Sequence, residues 1–307
     1  MPVLSTNLRA ALFMALAMFG FTANDAIVKG LTDDLNLGQI MLLRGAFATA
    51  MIALLAWQQG ALARPSLALQ PMVALRSACE LGATLFFLTA LSHMPLANVS
   101  AVLQSLPLAV TMGAALFFSE PVRWRRWLAI VVGFIGVLII VRPGLEGFNA
   151  YSISALICVV FCAIRDLATR RIPEQVPTLL ISTVTALLVT LSGGVLVMPL
   201  GGWVTVGTSE IAWLAGAAIL LLVGYQFIIL ATRTGEIAFV APYRYTALIW
   251  AILFGVLIFG EWPDLMMLAG ATLVVGSGLY ALYRETRVGR SSPVADSTSE
   301  AMAPDGI

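Results

Sequence analysis

Charge is scarce in this chain of 307 residues: Asp, Glu, Lys and Arg together make up 11%, against about 25% in a soluble domain. Histidine occurs once, as His93, lysine once, as Lys29, and the three cysteines, Cys79, Cys158 and Cys162, all lie in apolar runs. A formal net charge of +1 gives no basic surplus for nucleic acid, so no nucleic-acid partner is expected. Without an even, loop-borne set of cysteines there is no disulfide framework, and free thiols are expected. Cys158 and Cys162 share a helix face, but no third or fourth ligand accompanies them, so no metal and no cofactor is expected. His93 falls at the end of an apolar stretch, which leaves an intramembrane protease without its His-Ser or His-metal set. Asn24-Asp25 is followed by Lys29 and then Asp33-Asp34 in a loop, which does not complete the spaced aspartates of a magnesium-dependent prenyltransferase. The chain therefore reads as no enzyme.

Apolar residues are abundant. They make up 60% of the chain, and mean hydropathy is +0.96, more than one water-soluble core of this length can bury. Pro, Gly and charged breaks divide the chain into ten apolar stretches, at residues 8–29, 36–57, 69–92, 95–118, 124–141, 151–171, 176–198, 209–231, 237–259 and 264–283. The first stretch competes with a cleavable signal peptide; Phe21 before Thr22-Ala23 and a helical pattern running to Lys29 favour a retained span. The Ser-, Ala- and Pro-rich segment 284–307 is expected to be a disordered cytoplasmic tail. With residues 1–7 cytoplasmic, that side collects Arg9, Arg64, Arg123, Arg125, Arg126, Arg170, Arg171, Arg233, Arg284, Arg287 and Arg290, against Lys29 and Arg142 opposite. By the positive-inside rule both termini face the cytoplasm of a multi-pass protein of the cell inner membrane.

Sliding the sequence against itself by 141 positions superposes Asn24-Asp25 on Arg165-Asp166, Lys29 on Arg170, and Leu116 to Glu120 on Leu257 to Glu261. Five spans separate each pair, and an odd number of crossings inverts the second half relative to the first. The fold class expected is an all-α membrane protein of ten transmembrane helices in a five-plus-five inverted repeat, with halves at 8–141 and 151–283. Such halves can exchange conformations and expose a midplane site to each side in turn.

Several of these residues resemble the EamA-domain carriers of the drug/metabolite transporter superfamily. They are Glu120-Pro121, the run Phe259 to Pro263, Asn24-Asp25 with Lys29, the run Arg165 to Arg170, and Pro242 to Thr246. The resemblance covers about residues 8–285. It implies two EamA repeats and a carrier of small organic solutes that works without ATP. A channel, whose pore also needs intramembrane polar groups, or a polytopic membrane enzyme is the alternative class.

Charges deep in a bilayer cost about 2.5 to 3.5 kcal/mol each on insertion scales and normally face a cavity or a partner. Glu80 lies about 16 Å along its span, near the bilayer centre. Glu80, Arg244, Tyr243, Tyr245, Gln104 and Asn98 are expected to bind substrate. Asp25, Arg44, Arg165, Asp166 and Arg76 are expected to form outer and inner gates or to couple transport, with Asp25 paired to Arg44. The competing reading is fixed ion pairs between helices, or arginines snorkelling to headgroups. Aromatic and arginine residues together suit a flat heterocyclic metabolite such as riboflavin, with S-adenosylmethionine or amino acids next. The expected partners are a small-molecule substrate, the lipid bilayer and a coupling proton at Asp25, Glu80 or Asp166.

Overall fold

A computed structural model describes residues 6–120, 122–144, 149–173 and 175–288. Ten helices long and apolar enough to cross a membrane are present among them. They are α1 (Thr6–Leu31), α2 (Leu37–Gln58), α3 (Pro71–His93), α4 (Leu96–Phe117), α5 (Trp124–Val141), α6 (Ser152–Thr169), α7 (Thr178–Leu196), α8 (Thr208–Thr234), α9 (Ala241–Phe259, preceded by the turn Ile237–Val240) and α10 (Leu265–Val288). The segment expected to be a tail begins as helix up to Val288, and its remainder lies outside the described residues. Ten crossings put the start of α1 and the end of α10 on one side, here called the terminal face.

The shift of 141 positions holds in the helix boundaries. The first residues of α2, of α4 and of α5 map onto Thr178, Ile237 and Leu265, where α7, the turn before α9, and α10 begin. The packing repeats as well: α1 lies along α8 as α3 lies along α6, while α2 pairs with its counterpart α7 and α5 with its counterpart α10. The fold is thus a five-plus-five inverted repeat. Small residues set the helix separations. A Cβ at Gly20 would stand 2.9 Å from the Leu220 carbonyl oxygen across α1 and α8, and one at Gly136 would stand 2.7 Å from the Gly270 carbonyl oxygen across α5 and α10.

Large apolar side chains remain on the outside, among them Leu8, Leu12 and Leu16 along one face of α1, where lipid covers them. Exposed tryptophans mark both rims, Trp57 and Trp124 at the terminal face and Trp203 and Trp262 at the opposite face, as expected of interfacial anchors.

Two spans are broken at equivalent places. In α4 the helix stops at Leu103 and resumes at Leu106, with Pro107 unable to donate to the Leu103 carbonyl. In α9 the segment Ala241–Tyr245, with Pro242, is a 3-10 turn before regular helix from Thr246. Gln104 and Tyr245 correspond under the shift. The apolar stretch 95–118 is thus two helical segments in one span, parted by the turn at Gln104-Ser105 before Pro107. Irregular backbone at membrane depth is tolerated where it lies in protein or lines a cavity.

Candidate functional site

These two breaks meet at a narrow cavity of about 70 Å³. Gln104 at the break of α4 and Arg244 in the 3-10 turn of α9 line it, together with Thr22 and Asp25 of α1, Ser100 of α4, and the rings of Phe21 and Phe87. Of the residues expected to bind substrate, the structure brings Arg244 and Gln104 together here, and Asp25 from the expected gates joins them.

The other expected residues lie elsewhere. Glu80 is fully buried between α3 and α6, where Arg165 Nη1 donates to its Oε1 at 3.0 Å and Arg76 Nη2 stands 3.8 Å from its Oε2. Arg165 also donates through Nε to Asp166 Oδ1 at 2.9 Å, and Arg76 Nη1 donates to Thr185 Oγ1 of α7 at 2.8 Å. Arg76, Glu80, Arg165 and Asp166 thus form one charge-balanced cluster. On α1 and α2, Arg44 Nη1 donates to Asn24 Oδ1 at 3.3 Å and Asn24 Nδ2 donates to Asp25 Oδ1 at 3.0 Å, so the Asn24 amide joins Arg44 to Asp25. Tyr245 seats its hydroxyl against Gly278 of α10. Tyr243 packs against Phe239 with ring centroids 5.8 Å apart, and Asn98 is half-buried on α4 away from the cavity lining.

A second, larger opening of about 580 Å³ lies at the terminal face. Ile52, Leu55 and Gln59 of α2, Thr178, Leu179 and Ser182 of α7, and Tyr225 and Gln226 of α8 line it. Phe21, on the cavity wall, meets Tyr225, on the vestibule wall, edge to face at 5.2 Å. Gly224 leaves the space for that ring, since a Cβ there would be 2.7 Å from Phe21 Cε1.

The opposite face is shut at the equivalent place. Ile52 and Leu179 correspond under the shift to Gly193 and Gly38, and at these glycines α2 and α7 touch backbone to backbone. A Cβ on Gly38 would lie 2.7 Å from Val197 N and one on Gly193 2.7 Å from Leu42 N. Beyond the crossing, Gln39 Nε2 donates to the Val204 carbonyl at 2.7 Å while its Oε1 accepts from Val204 N at 3.1 Å. Asn36 caps α2 by accepting from Gln39 N and donates to the Gly202 carbonyl.

Two ion pairs related by the shift lie at opposite faces. Lys29 Nζ lies 3.0 Å from Glu261 Oε1, and Arg170 Nη2 lies 3.1 Å from Glu120 Oε1; the shift carries one pair onto the other. Each glutamate follows a residue in the left-handed region, Ser119 at φ 53° and Gly260 at φ 66°. The Glu120 and Glu261 amides then reach back to the carbonyls of Ala114 and Gly255, themselves equivalent. At the opposite face the pair reaches a neighbouring hairpin: Lys29 donates to the carbonyls of Leu91 and Met94, and Glu261 Oε2 accepts from Leu96 N at 2.9 Å. The side chains there are 11% and 22% exposed, against 26% and 31% for Arg170 and Glu120. These four residues carried the sequence repeat but were not among the expected site residues; their coincidence under the shift was the available signal.

Comparison with known proteins agrees with this architecture. The sequence matches the EamA-like transporter family over residues 8–142 and 150–283, one match in each half. It is 29% identical over 272 residues to the pseudopaline exporter CntI of Pseudomonas aeruginosa, covering 86% of this chain and 92% of the exporter. It is 27% identical over 207 residues to an S-adenosylmethionine uptake transporter of Rickettsia conorii, covering 64% of this chain and 66% of that protein. It is 26% identical over 288 residues to a riboflavin transporter of Vibrio cholerae, covering 92% and 96%. A solved crystal structure with 19% identity superposes at a TM-score of 0.63 over 92% of this chain and 99% of the other, and shares the fold. The chain belongs to the EamA-like transporter family of drug/metabolite transporters, with one copy of the domain in each inverted half.

Proposed function

We propose that this protein is a secondary carrier that moves a small organic metabolite across the cytoplasmic membrane by alternating access, with both termini in the cytoplasm. The observation that carries the reading is the unequal spacing of α2 and α7, in backbone contact at Gly38 and Gly193 but parted by a vestibule at the equivalent Ile52 and Leu179. Exchanging these two spacings closes one face as it opens the other. The Phe21–Tyr225 pair is the thin partition that must part for solute to pass between vestibule and cavity. At about 70 Å³ the cavity is below the several hundred Å³ of a ligand-filled pocket, which suits a compacted resting state.

Arg244, Gln104 and Asp25 supply polar contacts and Phe21 and Phe87 supply flat apolar walls, a combination suited to a heterocyclic solute such as riboflavin, with S-adenosylmethionine or amino acids next. Glu80, Arg76, Arg165 and Asp166 act as the buried cluster on which α3 and α6 move together, and Asp25, facing the cavity, is the carboxylate placed to exchange a coupling proton. The test is reconstitution in liposomes with a screen of labelled metabolites. Uphill accumulation that collapses with an uncoupler supports proton coupling, and catalytic turnover without vectorial movement refutes the carrier.

A further inference from the structure

Helices α5 and α10 correspond under the shift of 141 and pack on each other, yet the two halves of their crossing differ. Toward the opposite face Gly136 and Gly270 bring the backbones together: a Cβ on Gly136 would lie 2.7 Å from the Gly270 carbonyl oxygen, and one on Gly270 2.6 Å from that of Gly136. Their equivalents toward the terminal face are Ser277 and Ala129, whose larger side chains do not allow so close an approach. The helices part there around an outward-facing groove of about 300 Å³, lined by Leu128, Ala129 and Val132 of α5 and by Leu273, Gly276 and Tyr280 of α10. Gly276 keeps it open. Its equivalent on the closed half is Ile135, whereas a Cβ on Gly276 would meet nothing within 4 Å among the described residues.

The charge at the mouth differs in the same way. Arg125 lies one turn before Leu128 and Ala129, and Arg284 one turn after Tyr280, so the two stand over the terminal-face end of the groove from either side. Arg125 is exposed and Arg284 half-buried. The positions equivalent to Arg125 and Arg284 at the opposite face hold Met266 and Pro143, and the one equivalent to Arg123 holds Asp264.

We propose that this groove binds an anionic phospholipid of the terminal-face leaflet, with one acyl chain along Val132, Leu273 and Gly276 and the headgroup phosphate between Arg125 and Arg284. From Thr272, at the deep end, to Tyr280 the helix rises about 12 Å, close to the roughly 15 Å of hydrocarbon in one leaflet. A chain laid lengthwise therefore brings its headgroup to the level of the arginines. Guanidinium groups match phosphate oxygens in geometry and charge, and basic residues above a cleft between spans select acidic headgroups. The positive-inside rule asks for basic residues at one face; it does not ask for a groove beneath them or for glycine at 276. A second copy of the chain would fill the groove too, but twofold pairing would set Arg125 and Arg284 against their own copies. The charge therefore favours lipid.

The test is lipid binding to the delipidated full chain in detergent, read by native mass spectrometry with dioleoyl phosphatidylglycerol and dioleoyl phosphatidylcholine. Phosphatidylglycerol is expected to bind at least about tenfold more tightly, since each arginine near a headgroup contributes several-fold. In the double variant Arg125→Gln with Arg284→Gln the ratio of the two lipids should fall to about one. Gly276→Leu fills the groove without a clash and should weaken phosphatidylglycerol about tenfold, the loss of about two methylenes' burial. Lipid-free melting checks that both variants fold. Equal binding of the two lipids to the wild type, or a preference untouched by the arginine changes, would overturn the proposal. A preference untouched by Gly276→Leu would mean diffuse surface attraction in place of a groove, and a dimer that Gly276→Leu abolishes would mean a second copy; either result overturns it as well.

Discussion

The hydroxyls of Thr49 and Thr190 meet 3.0 Å apart, and 141 positions separate the two residues, the same interval that superposes the halves. Contact between equivalent residues fixes where the pseudo-twofold axis passes through α2 and α7. To one side of this point the two helices close on Gly38 and Gly193; to the other they part around the vestibule. Thr49 and Thr190 therefore stand at the pivot of the proposed exchange.

Adding a side chain at the closed crossing should hold it open. A Cβ on Gly193 would lie 2.7 Å from both Leu42 N and Met41 Cβ, atoms that cannot swing aside. Gly193→Val is expected to shift the balance between the two arrangements by at least tenfold, about 1.4 kcal/mol. The check is thiol labelling of the opposite face, which should rise while uptake falls. Gly216→Ala, where a Cβ meets nothing within 4 Å among the described residues, should change neither.

The two equivalent ion pairs should respond unequally. Lys29→Ala strands the Glu261 carboxylate and removes the donors to Leu91 and Met94, so opposite-face closure weakens by about 1 to 3 kcal/mol. Arg170→Ala breaks a more exposed pair and should cost no more than about 1 kcal/mol. Melting temperatures and labelling rates of the two variants, measured side by side, decide this. A charge swap at Lys29 and Glu261 should rescue only in part, because a glutamate at 29 would face two carbonyl oxygens.

Glu80→Gln leaves Arg76 and Arg165 with one carboxylate, Asp166, in a fully buried setting. Breaking one partner of such a cluster costs about 3 to 5 kcal/mol. The purified variant should melt markedly lower than wild type, and Arg76→Met combined with Glu80→Gln should recover part of the loss.

Much of this architecture was legible in the sequence because the bilayer forces it. Ten apolar runs and the offset that puts Asp25 on Asp166 and Lys29 on Arg170 are one-dimensional signals. The site was less so. That Arg244 lines the cavity while Glu80 faces Arg165 depends on which side of α3 and α9 each side chain leaves, and an all-round apolar helix in lipid gives no periodicity to read. The break at Gln104 hinged on Pro107, visible in the sequence but indistinguishable there from a tolerated proline. The pairing of Thr49 with Thr190 required knowing that α2 and α7 cross on the axis.

At the opposite face Asp264 caps α10, accepting from Met267 N at 2.7 Å, and pairs with Arg142. Burial pushes its carboxyl up, but the Met267 amide and the Arg142 guanidinium together outweigh this and hold it below the usual carboxylate range. A lowered native pKa means stability present above the unfolded value of about 3.9 and lost as pH falls through the native one. Asp264→Asn should therefore lower melting modestly at neutral pH, leave it nearly unchanged well below about pH 4, and so flatten the acid limb of the profile. An acid limb identical to wild type would remove Asp264 from that role.

Reciprocal motion of the two faces is measured most directly by paired spin-label distances in a background lacking Cys79, Cys158 and Cys162. Labels at Gln59 and Thr178 span the vestibule, and labels at the equivalent Leu200 and Leu37 span the opposite face. Introducing Gly193→Val should lengthen the Leu37–Leu200 distance and shorten the Gln59–Thr178 distance together. A change on one face with the other fixed, or both distances moving in the same direction, would contradict alternating access about Thr49 and Thr190.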